Sequence, residues 1–487
     1  MKARSSLFII LLCLVIIYGV AHVVANQKLN NWIEQNDNLK VTDAKLNILM
    51  GNLSASGVEF DDDRYTTKTC EVESIKLRGF SILAYLIKDE IDIDEISLHH
   101  ANIFLTSPPK TDSAKQPKRK FCLSRLTLDS FDINYKTEKF SLKANQGVAQ
   151  ITDIKNVDKL QFEGISLIMS NIAYQPIKDV YNILANQIEV NSSESKLKVN
   201  NFLIQPQCSV EEWPSCNPTK KSRIIYKVGN ITGRLDSTLF AKGIYLSELE
   251  IDDGLLEVLS YQEMENVKLP KKFFMEQFDA LNIPINIPLI EVKSHTINAL
   301  LKKESVDTIS FDQVYATLNN VTNIPDRLKE NNTVRARTIS KFMDTKLSVD
   351  FEFKIKDTLN AYNFKLELDP MPFANLNKAL TYNTPIAIER GKLQQLDCEV
   401  TGNNVSSLGQ CALAYKDLYI NIENKQNRTK KFLSKLLNFI VKDGPEKSDD
   451  LASKTYEASL DRDTNRDFFF QAYSIILQII RQAMLPI

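Results

Sequence analysis

The chain has 487 residues, of which 43% are hydrophobic and 25% are charged. This composition excludes an intrinsically disordered chain and supplies enough apolar material for more than one core. Sixty basic side chains against sixty-one acidic ones leave a formal net charge of −1, which gives no reason to expect a nucleic-acid partner. We therefore predict a folded protein that does not bind DNA or RNA.

The N-terminal segment predicts a membrane anchor. Lys2 and Arg4 precede the range 5–27, which contains no Asp, Glu, Lys or Arg. A helix of that length, at about 1.5 Å per residue, crosses the roughly 30 Å hydrocarbon core of a bilayer. A cleaved signal peptide is the alternative, since Val23 and Ala25 are small residues that a signal peptidase accepts. In either case the basic residues place the N-terminus in the cytoplasm and the rest of the chain across the membrane.

Most of the chain after the anchor is predicted to form strands. The clearest candidates are 39–49, 91–105, 126–135, 160–169, 195–204, 308–318, 362–369 and 411–423. Few helices interrupt them, and parallel strands would need crossover connections between them. The sequence therefore predicts a mainly β fold with a long, twisted and mostly antiparallel sheet.

One strand, residues 346–356, alternates without interruption between apolar and polar side chains, and the strand after it has the same spacing. Their apolar members are Leu347, Val349, Phe351, Phe353, Ile355, Phe364, Leu366 and Leu368. Because side chains in a strand alternate between the two faces, these residues share one apolar face. The pattern leaves open whether lipid or a facing layer of protein covers that face.

Two pairs of cysteines are close in sequence and predict disulfides. Cys208 and Cys216 enclose a short loop that contains proline, and Cys398 and Cys411 flank a strand, a turn and a returning strand. Disulfides fit an exported protein, whereas buried free thiols are the alternative that spacing leaves open.

Helices are predicted in three places after the first strands. A short helix falls within 269–284, and two apolar helices fall at 429–442 and 466–485. The two C-terminal helices are amphipathic, so they either cap the apolar end of the sheet or contact a membrane surface.

No motif in the sequence predicts a catalytic site. The patterns HExxH, GxSxG, GxGxxG and GxxxxGK[ST] are all missing from the chain. His99 and His100 are adjacent in a predicted strand, so we expect them to face opposite sides and not to share a site. We predict a protein that is not an enzyme and that uses neither a cofactor nor a metal ion.

The order of segments along the chain carries a family resemblance. A short basic N-terminus and one apolar helix precede "VESIKLRGFSILAYLIKDEIDIDEISLHHANIFL" at 72–105, and further characteristic stretches occupy 309–326, 373–404 and 409–425. This arrangement resembles the AsmA-like envelope proteins of diderm bacteria, to which TamB and the eukaryotic bridge-like lipid transfer proteins are distantly related. The cysteines depart from the family pattern.

The resemblance implies a bacterial inner-membrane protein with a single span and most of its chain in the periplasm. The sheet would curl into an apolar groove that binds or conducts phospholipid for outer-membrane biogenesis and homeostasis, with envelope proteins as possible partners. The segments would be the anchor (1–27), two parts of the β-groove (28–264 and 265–425) and a C-terminal helical segment (426–487). The eight apolar residues named above would line the groove.

The alternative is an exported, non-enzymatic scaffold or adhesion protein in which protein closes the apolar sheet face.

Overall fold

The structure is a computed structural model. It describes residues 2–61, 70–81, 84–88, 90–106, 120–156, 160–236, 243–261, 263–264, 270–302, 306–377, 386–422, 454–466 and 468–484. The described chain is mainly β with few helices, which confirms the predicted fold class at that level. It divides into two compact units, Met1–Leu203 and Ile204–Ile487. The four segments predicted from the sequence stay a prediction.

The first unit contains a long helix, a π-helical turn at Ala84–Lys88 and a run of strands. Its elements are α1 Lys2–Glu34, β1 Leu39–Lys40, β2 Asp43–Asn47, β3 Asn52–Phe60, β4 Cys70–Arg78, β5 Glu90–Thr106, β6 Lys120–Lys136, β7 Phe140–Asn156, β8 Leu160–Gln161, β9 Gly164–Pro176 and β10 Tyr181–Asn191. Strands β1 and β2 both pair with β3, and β3, β4 and β5 follow in antiparallel order. The β5–β6 pair is parallel, and β6, β7, β9 and β10 are again antiparallel.

Helix α1 is attached to the sheet of this unit through its C-terminal half. The Asn26 Nδ2 donates to the Leu46 carbonyl at 2.9 Å, and the Leu46 N–H donates to Asn26 Oδ1 at 2.8 Å. The Tyr18 hydroxyl donates to Asn47 Oδ1 at 3.3 Å. The Asn26 amide therefore takes the place of a neighbouring strand at the edge of β2.

In the part of the chain that the structure describes, none of the helices combines the length and the hydropathy that a membrane crossing requires. The predicted anchor at 1–27 falls mostly on residues 2–17 of α1, whose side chains lie outside the described part, and on Met1, which is not described.

The second unit begins within β11, Lys196–Pro206, and ends in a helix. Its elements are α2 Trp213–Cys216, β12 Ser222–Leu235, β13 Ile244–Tyr261, α3 Phe274–Asp279, β14 Ile285–Lys302, β15 Val306–Thr322, α4 Pro325–Glu330, β16 Thr333–Phe342, β17 Thr345–Lys354, β18 Tyr362–Leu368, β19 Met371–Pro372, β20 Ile386–Gly402, β21 Ser406–Ile422, β22 Lys454–Asp461 and α5 Phe468–Met484. The β13–β14 pair is parallel, and antiparallel pairing continues from β14 to β18 and then through β20 to β22.

The helices and disulfides predicted from sequence have mixed outcomes. Helix α3 lies within the predicted range 269–284, and α5 corresponds to the predicted helix at 466–485. The predicted helix at 429–442 lies outside the described residues. Both predicted disulfides, Cys208–Cys216 and Cys398–Cys411, are present. The parallel β5–β6 and β13–β14 pairs make the strand pairing mixed, in a sheet that is otherwise antiparallel among the described strand pairs.

Several long strands contain a residue in the left-handed backbone conformation at the same level. In β5 and β6 these are His100 (φ 46°) and Ser130 (φ 59°). They lie side by side, because the residues before them (99 and 129) and after them (101 and 131) are paired across the two strands. In β13 and β14 they are Asp253 (φ 59°) and Ser294 (φ 54°), again side by side. Each marks a bulge-like irregularity, which bends a strand and shifts its alternation by one residue.

Candidate functional site

The first unit has one apolar face, formed by rows of side chains that run across the strands. The first apolar row consists of Leu46, Leu53, Leu77, Ile96, Leu126, Ile151 and Ile165, each paired with the next. The second apolar row consists of Ala44, Ala55, Ile75, Leu98, Leu128, Ala149, Leu167 and Val190. Paired residues share a face, so the two rows form a continuous apolar surface.

Between these rows, on the opposite face, lies a row that contains only polar residues. This polar row consists of Lys45, Ser54, Lys76, Ser97, Thr127, Gln150, Ser166 and Asn191. The sheet of the first unit therefore separates an apolar face from a polar face with no exception in these three rows.

The first apolar row is only partly removed from solvent, although neighbours on the same face, such as Ile93 and Phe131, are buried. All seven members of the first apolar row are half-buried. In the described part of this unit, α1 lies against β1 and β2, and the π-helical turn lies against β5. Strands β6, β7, β9 and β10 have no comparable helical cover among the described residues. An apolar surface of this extent in a folded protein commonly marks a contact with lipid, ligand or another protein.

His99 and His100 lie on the same side of β5, so the expectation that they face opposite ways is wrong. Their ring centroids are 5.9 Å apart with an angle of 22° between the planes. His99 Nδ1 lies 3.2 Å from Asp129 Oδ2, and His100 Nδ1 lies 2.8 Å from Glu73 Oε2. The positive φ of His100 interrupts the alternation on which the expectation depended.

The second unit also has an apolar row that crosses its sheet. It consists of Gly233, Leu249, Ile290, Leu318, Ala336, Phe351, Phe364, Val400, Gly409 and Ala458. From Gly233 to Ala336 the members are half-buried, and Val400 and Ala458 at the far end are buried. Exposure therefore falls along one face of a single sheet.

The eight residues predicted to line a groove lie in the more buried part of this face. Leu347, Phe353, Ile355 and Leu368 are buried, with exposed fractions of 8%, 8%, 0% and 6%. Val349, Phe351, Phe364 and Leu366 are half-buried and pack against the same core. The structure brings all eight together on one face, and their contact with lipid stays a prediction.

Two helical segments from distant parts of the sequence cover these residues. The Phe274 ring of α3 lies 4.6 Å from the Phe353 ring and 5.6 Å from the Phe351 ring, measured between centroids. The Phe468 ring of α5 lies 4.8 Å from Phe351 and 4.7 Å from Tyr362. This part of the apolar face is therefore in contact with protein.

A buried chain of hydrogen bonds fixes α5 on the sheet. The hydroxyls of Tyr362 and Ser407 are hydrogen-bonded at 2.6 Å, and Gln471 Nε2 donates to Ser407 Oγ at 3.3 Å and to the Asp461 carbonyl at 3.2 Å. Burial raises the pKa of Tyr362 above its ordinary value. Since buried polar groups are costly unless they are paired, this chain specifies one position for the helix.

The buried histidine of the second unit has a structural role. His295 is 4% exposed, and its Nδ1 lies 2.7 Å from the Lys293 carbonyl, to which only a protonated nitrogen can donate. Its Nε2 lies 3.1 Å from the Tyr226 hydroxyl and so accepts from it in the neutral ring. Both ring nitrogens are therefore occupied. Among the described residues, no three His, Cys, Asp or Glu side chains are grouped so that they could hold a metal ion.

No protein-family model, no curated protein and no solved structure matches this chain. The AsmA-like resemblance therefore stays a prediction that depends on the order of segments in the sequence.

The apolar rows of the first unit are the part of the candidate site that sequence reasoning missed. Strands 91–105 and 126–135 were predicted, yet their apolar residues change phase twice, so that Ile93, Ile96, Leu98 and Ala101 share a face. A search for short alternating runs separated by a shift of one residue would have found these strands.

Proposed function

We propose that this chain is a membrane-anchored, AsmA-like envelope protein that holds phospholipid against the apolar face of its first unit. The observation that carries the proposal is the pair of apolar rows, which cross the strands without a polar residue and have little described cover. The resemblance supplies the class of ligand, because a lipid acyl chain is the occupant that the AsmA-like arrangement implies.

The dimensions of the apolar face suit this occupant. Neighbouring strands are spaced by about 4.8 Å, so the seven strands of the first apolar row extend over about 29 Å. An acyl chain needs no hydrogen-bond partner and gains from any apolar surface that it removes from water. A face of half-buried aliphatic side chains therefore supports lipid binding without a specific pocket.

The proposed location follows from the N-terminal segment. In this proposal α1 anchors the chain in the bacterial inner membrane, with the strands in the periplasm. The two disulfides support an oxidising compartment for residues 208–216 and 398–411. The curling of the sheet into a groove, the envelope partners and the contribution to outer-membrane homeostasis belong to the same proposal.

A second candidate function is supported by the other unit. There the face of β17 to β22 is covered by α3 and α5, as expected for an exported scaffold or adhesion protein. If the apolar face of the first unit were covered in a similar way by a protein partner, the chain would be a structural component and not a lipid carrier.

A pair of adjacent double substitutions tests the proposal. Leu126 and Ile151 are paired on the apolar face, and their neighbours Thr127 and Gln150 are paired on the polar face. We expect Leu126→Asp with Ile151→Asp to lower the phospholipid that co-purifies with the full chain by about tenfold, because two carboxylates on this surface cost more than about 1.4 kcal/mol of binding free energy. The measurement is quantitative mass spectrometry of extracted lipids.

Thr127→Asp with Gln150→Asp is the matched control. It adds the same two charges to the same strands on the other face, so the lipid content should not change. Circular dichroism and limited proteolysis establish that both variants fold. Equal lipid content in the two variants, or a wild-type chain without phospholipid, would contradict the proposed function and favour the scaffold.

A further inference from the structure

The second unit repeats a part of the first unit. Three consecutive strands in each unit contain a residue in the left-handed backbone conformation. These residues are His100, Ser130 and Gln146 on β5 to β7, and Asp253, Ser294 and Gln313 on β13 to β15. In both units the first two of these strands are parallel and the third is antiparallel to the second. The two sets of strands therefore correspond residue by residue, starting from the left-handed positions.

Equivalent positions have equivalent partners in the two sets of strands. Relative to the left-handed residues, the positions of the first apolar row are occupied on β13 to β15 by Leu249, Ile290 and Leu318. The positions of the second apolar row are occupied by Ile251, Val292 and Ala316. Strands β12 and β16 pair with β13 and β15 in the same register as β4 and β9 pair with β5 and β7. Matching register over five strands indicates an internal repeat.

The repeated rows of the second unit are as open as their counterparts in the first. All six of these residues are half-buried, and none of them belongs to the buried core under α3 and α5. The next level along the strands is buried in both units, where the Phe131 ring lies over Gly147 and the His295 ring lies over Gly254. Both units therefore present half-buried aliphatic rows beside a buried level.

The charged groups at this level lie on the opposite face of the sheet. The residues between the two rows are Glu250, Glu291 and Thr317. Lys293 Nζ lies 2.6 Å from Glu250 Oε2 and 3.2 Å from Glu291 Oε2. Because neighbouring residues in a strand point to opposite faces, these ion pairs do not face the aliphatic rows. A ligand on the rows of β13 to β15 therefore meets only aliphatic side chains of these strands.

From these observations we infer that the face over β13 to β15 is a second phospholipid-binding surface, on which acyl chains lie across Leu249, Ile290 and Leu318. The inference rests on the proposed function, because the internal repeat extends the class of ligand from the first unit to the second. An acyl chain suits a surface that offers neither charge nor hydrogen-bonding groups. The chain would then hold lipid on both of its units.

The second surface is smaller than the first. The covered part of the face begins at Phe351 of β17, so the open strands β12 to β16 extend over about 19 Å, against about 29 Å for the first apolar row. At its sides, Gly233 and Ala336 replace the larger Leu77 and Ile165 of the first unit. Binding free energy grows with the apolar area removed from water, so lipid is held less tightly here. We therefore expect this lipid to be lost during purification and to return when lipid is added.

Quenching of an introduced tryptophan by brominated lipid tests the inference in the full chain. The parent carries Trp32→Phe and keeps Trp213, which is 0% exposed and contributes the same emission to every variant. Leu318→Trp places a reporter on the second surface, Ile151→Trp places it at the equivalent position of the first unit, and Thr317→Trp places it on the polar face. Phosphatidylcholine brominated in its acyl chains is added in a mild detergent, with the unbrominated lipid as the reference. We expect quenching of the first two reporters and none of the third.

Charges on the second surface should weaken this binding. Leu249 and Ile290 are paired beside the reporter at position 318. Leu249→Asp with Ile290→Asp should raise the lipid concentration that half-quenches Leu318→Trp by about tenfold, because two carboxylates must lose water when lipid binds. Leu126→Asp with Ile151→Asp adds the same charges to the first unit and should leave that concentration unchanged. Circular dichroism establishes that the variants fold.

The outcomes separate the second surface from the proposed function. Quenching of Ile151→Trp without quenching of Leu318→Trp overturns the inference and leaves the proposed function intact. Equal quenching of Leu318→Trp and Thr317→Trp, or an unchanged half-quenching concentration in the variant with Leu249→Asp and Ile290→Asp, overturns the inference as well. If neither Ile151→Trp nor Leu318→Trp is quenched, both the inference and the proposed function are wrong.

Discussion

The apolar face of the first unit and the apolar face from β17 to β22 of the second unit differ in what lies on them. Both arise from the same alternation of apolar and polar residues along the strands. The two apolar rows of the first are aliphatic and, apart from Ala149, half-buried, whereas the second includes Phe351, Phe353 and Tyr362 and is covered by α3 and α5. Alternation thus determines that a face is apolar and leaves its cover undetermined.

The cover of the second face comes from residues that are remote in sequence. Phe274 lies in the crossover between β13 and β14, and Phe468 begins a helix more than a hundred residues after β17. Their rings meet the aromatic side chains of the strands edge to face or tilted, at 4.6 to 5.6 Å.

The largest expected effect comes from removing the cover. Phe468 is 1% exposed and its neighbour Phe469 is 69% exposed. We expect Phe468→Ala to lower the free energy of unfolding of the second unit by about 3–5 kcal/mol, because it leaves a cavity among the rings that surround Phe468. Phe469→Ala should cost less than about 1 kcal/mol. Denaturant unfolding measures both, and equal effects would contradict the covered face.

A matched pair of leucines compares the two faces directly. Leu396 of β20 is 4% exposed, whereas Leu126 of β6 is half-buried. Leu396→Ala should lower the free energy of unfolding by about 2–5 kcal/mol. Leu126→Ala should lower it by about 1 kcal/mol, since the half-buried side chain removes less apolar area from water on folding. Unfolding in the presence and absence of phospholipid adds a further test. Added phospholipid should increase the difference in the free energy of unfolding between the wild type and Leu126→Ala, and should leave the difference for Leu396→Ala unchanged. An equal increase for both variants would contradict the proposal that lipid contacts the first apolar row.

Both units have a ring packed over a glycine beside the left-handed residues. A Cβ at Gly147 would overlap the Phe131 ring, and a Cβ at Gly254 would overlap the His295 ring. Gly147→Ala should therefore cost about 1–3 kcal/mol through overpacking. Adding Phe131→Leu should recover part of this loss, because the smaller side chain leaves room for the methyl group. Thermal unfolding of the single and double variants measures the recovery of stability. If the double variant is no more stable than Gly147→Ala, the Phe131 ring is not what excludes a side chain at position 147.

The smallest expected effect concerns the polar chain under α5. Tyr362→Phe should cost about 0.5–1.5 kcal/mol at pH 8, because it leaves Ser407 with one partner fewer. Burial holds the pKa of Tyr362 above its ordinary value, so the wild type loses stability as the pH rises above about 10. Tyr362→Phe lacks the titrating hydroxyl. The difference in the free energy of unfolding between the wild type and this variant should therefore shrink between pH 8 and pH 11. Tyr315→Phe, at a residue 49% exposed, is the control.

The parts of the fold that could be predicted depend on local sequence. The alternation in 346–356 predicts β17, and the spacing of Cys398 and Cys411 predicts a disulfide between β20 and β21, because each pattern refers to neighbouring positions. The parallel β5–β6 and β13–β14 pairs could not be predicted. Parallel neighbours are not joined by a tight turn, so no local pattern in the sequence shows which strands lie side by side. The bulge at His100 could not be predicted either, because no particular residue type marks the position of an extra residue in a strand.

The candidate site was predicted in the same uneven way. The eight residues from Leu347 to Leu368 do share one face. Their burial under Phe274 and Phe468 required the tertiary structure, since nothing in the strand itself specifies its cover. The rows of the first unit were not recognised because their strands shift phase at the bulges, and a period of two then fails over a long window.

The aligned left-handed residues restrict how the lengths of these strands can change. His100 and Ser130 lie side by side, as do Asp253 and Ser294, so each strand contains its extra residue where its neighbour does. Deleting the extra residue from one strand would turn every later side chain of that strand to the wrong face, while its neighbour remained unchanged. Insertions and deletions are therefore tolerated in these sheets only when adjacent strands change together, and length variation should concentrate in the connections between strands.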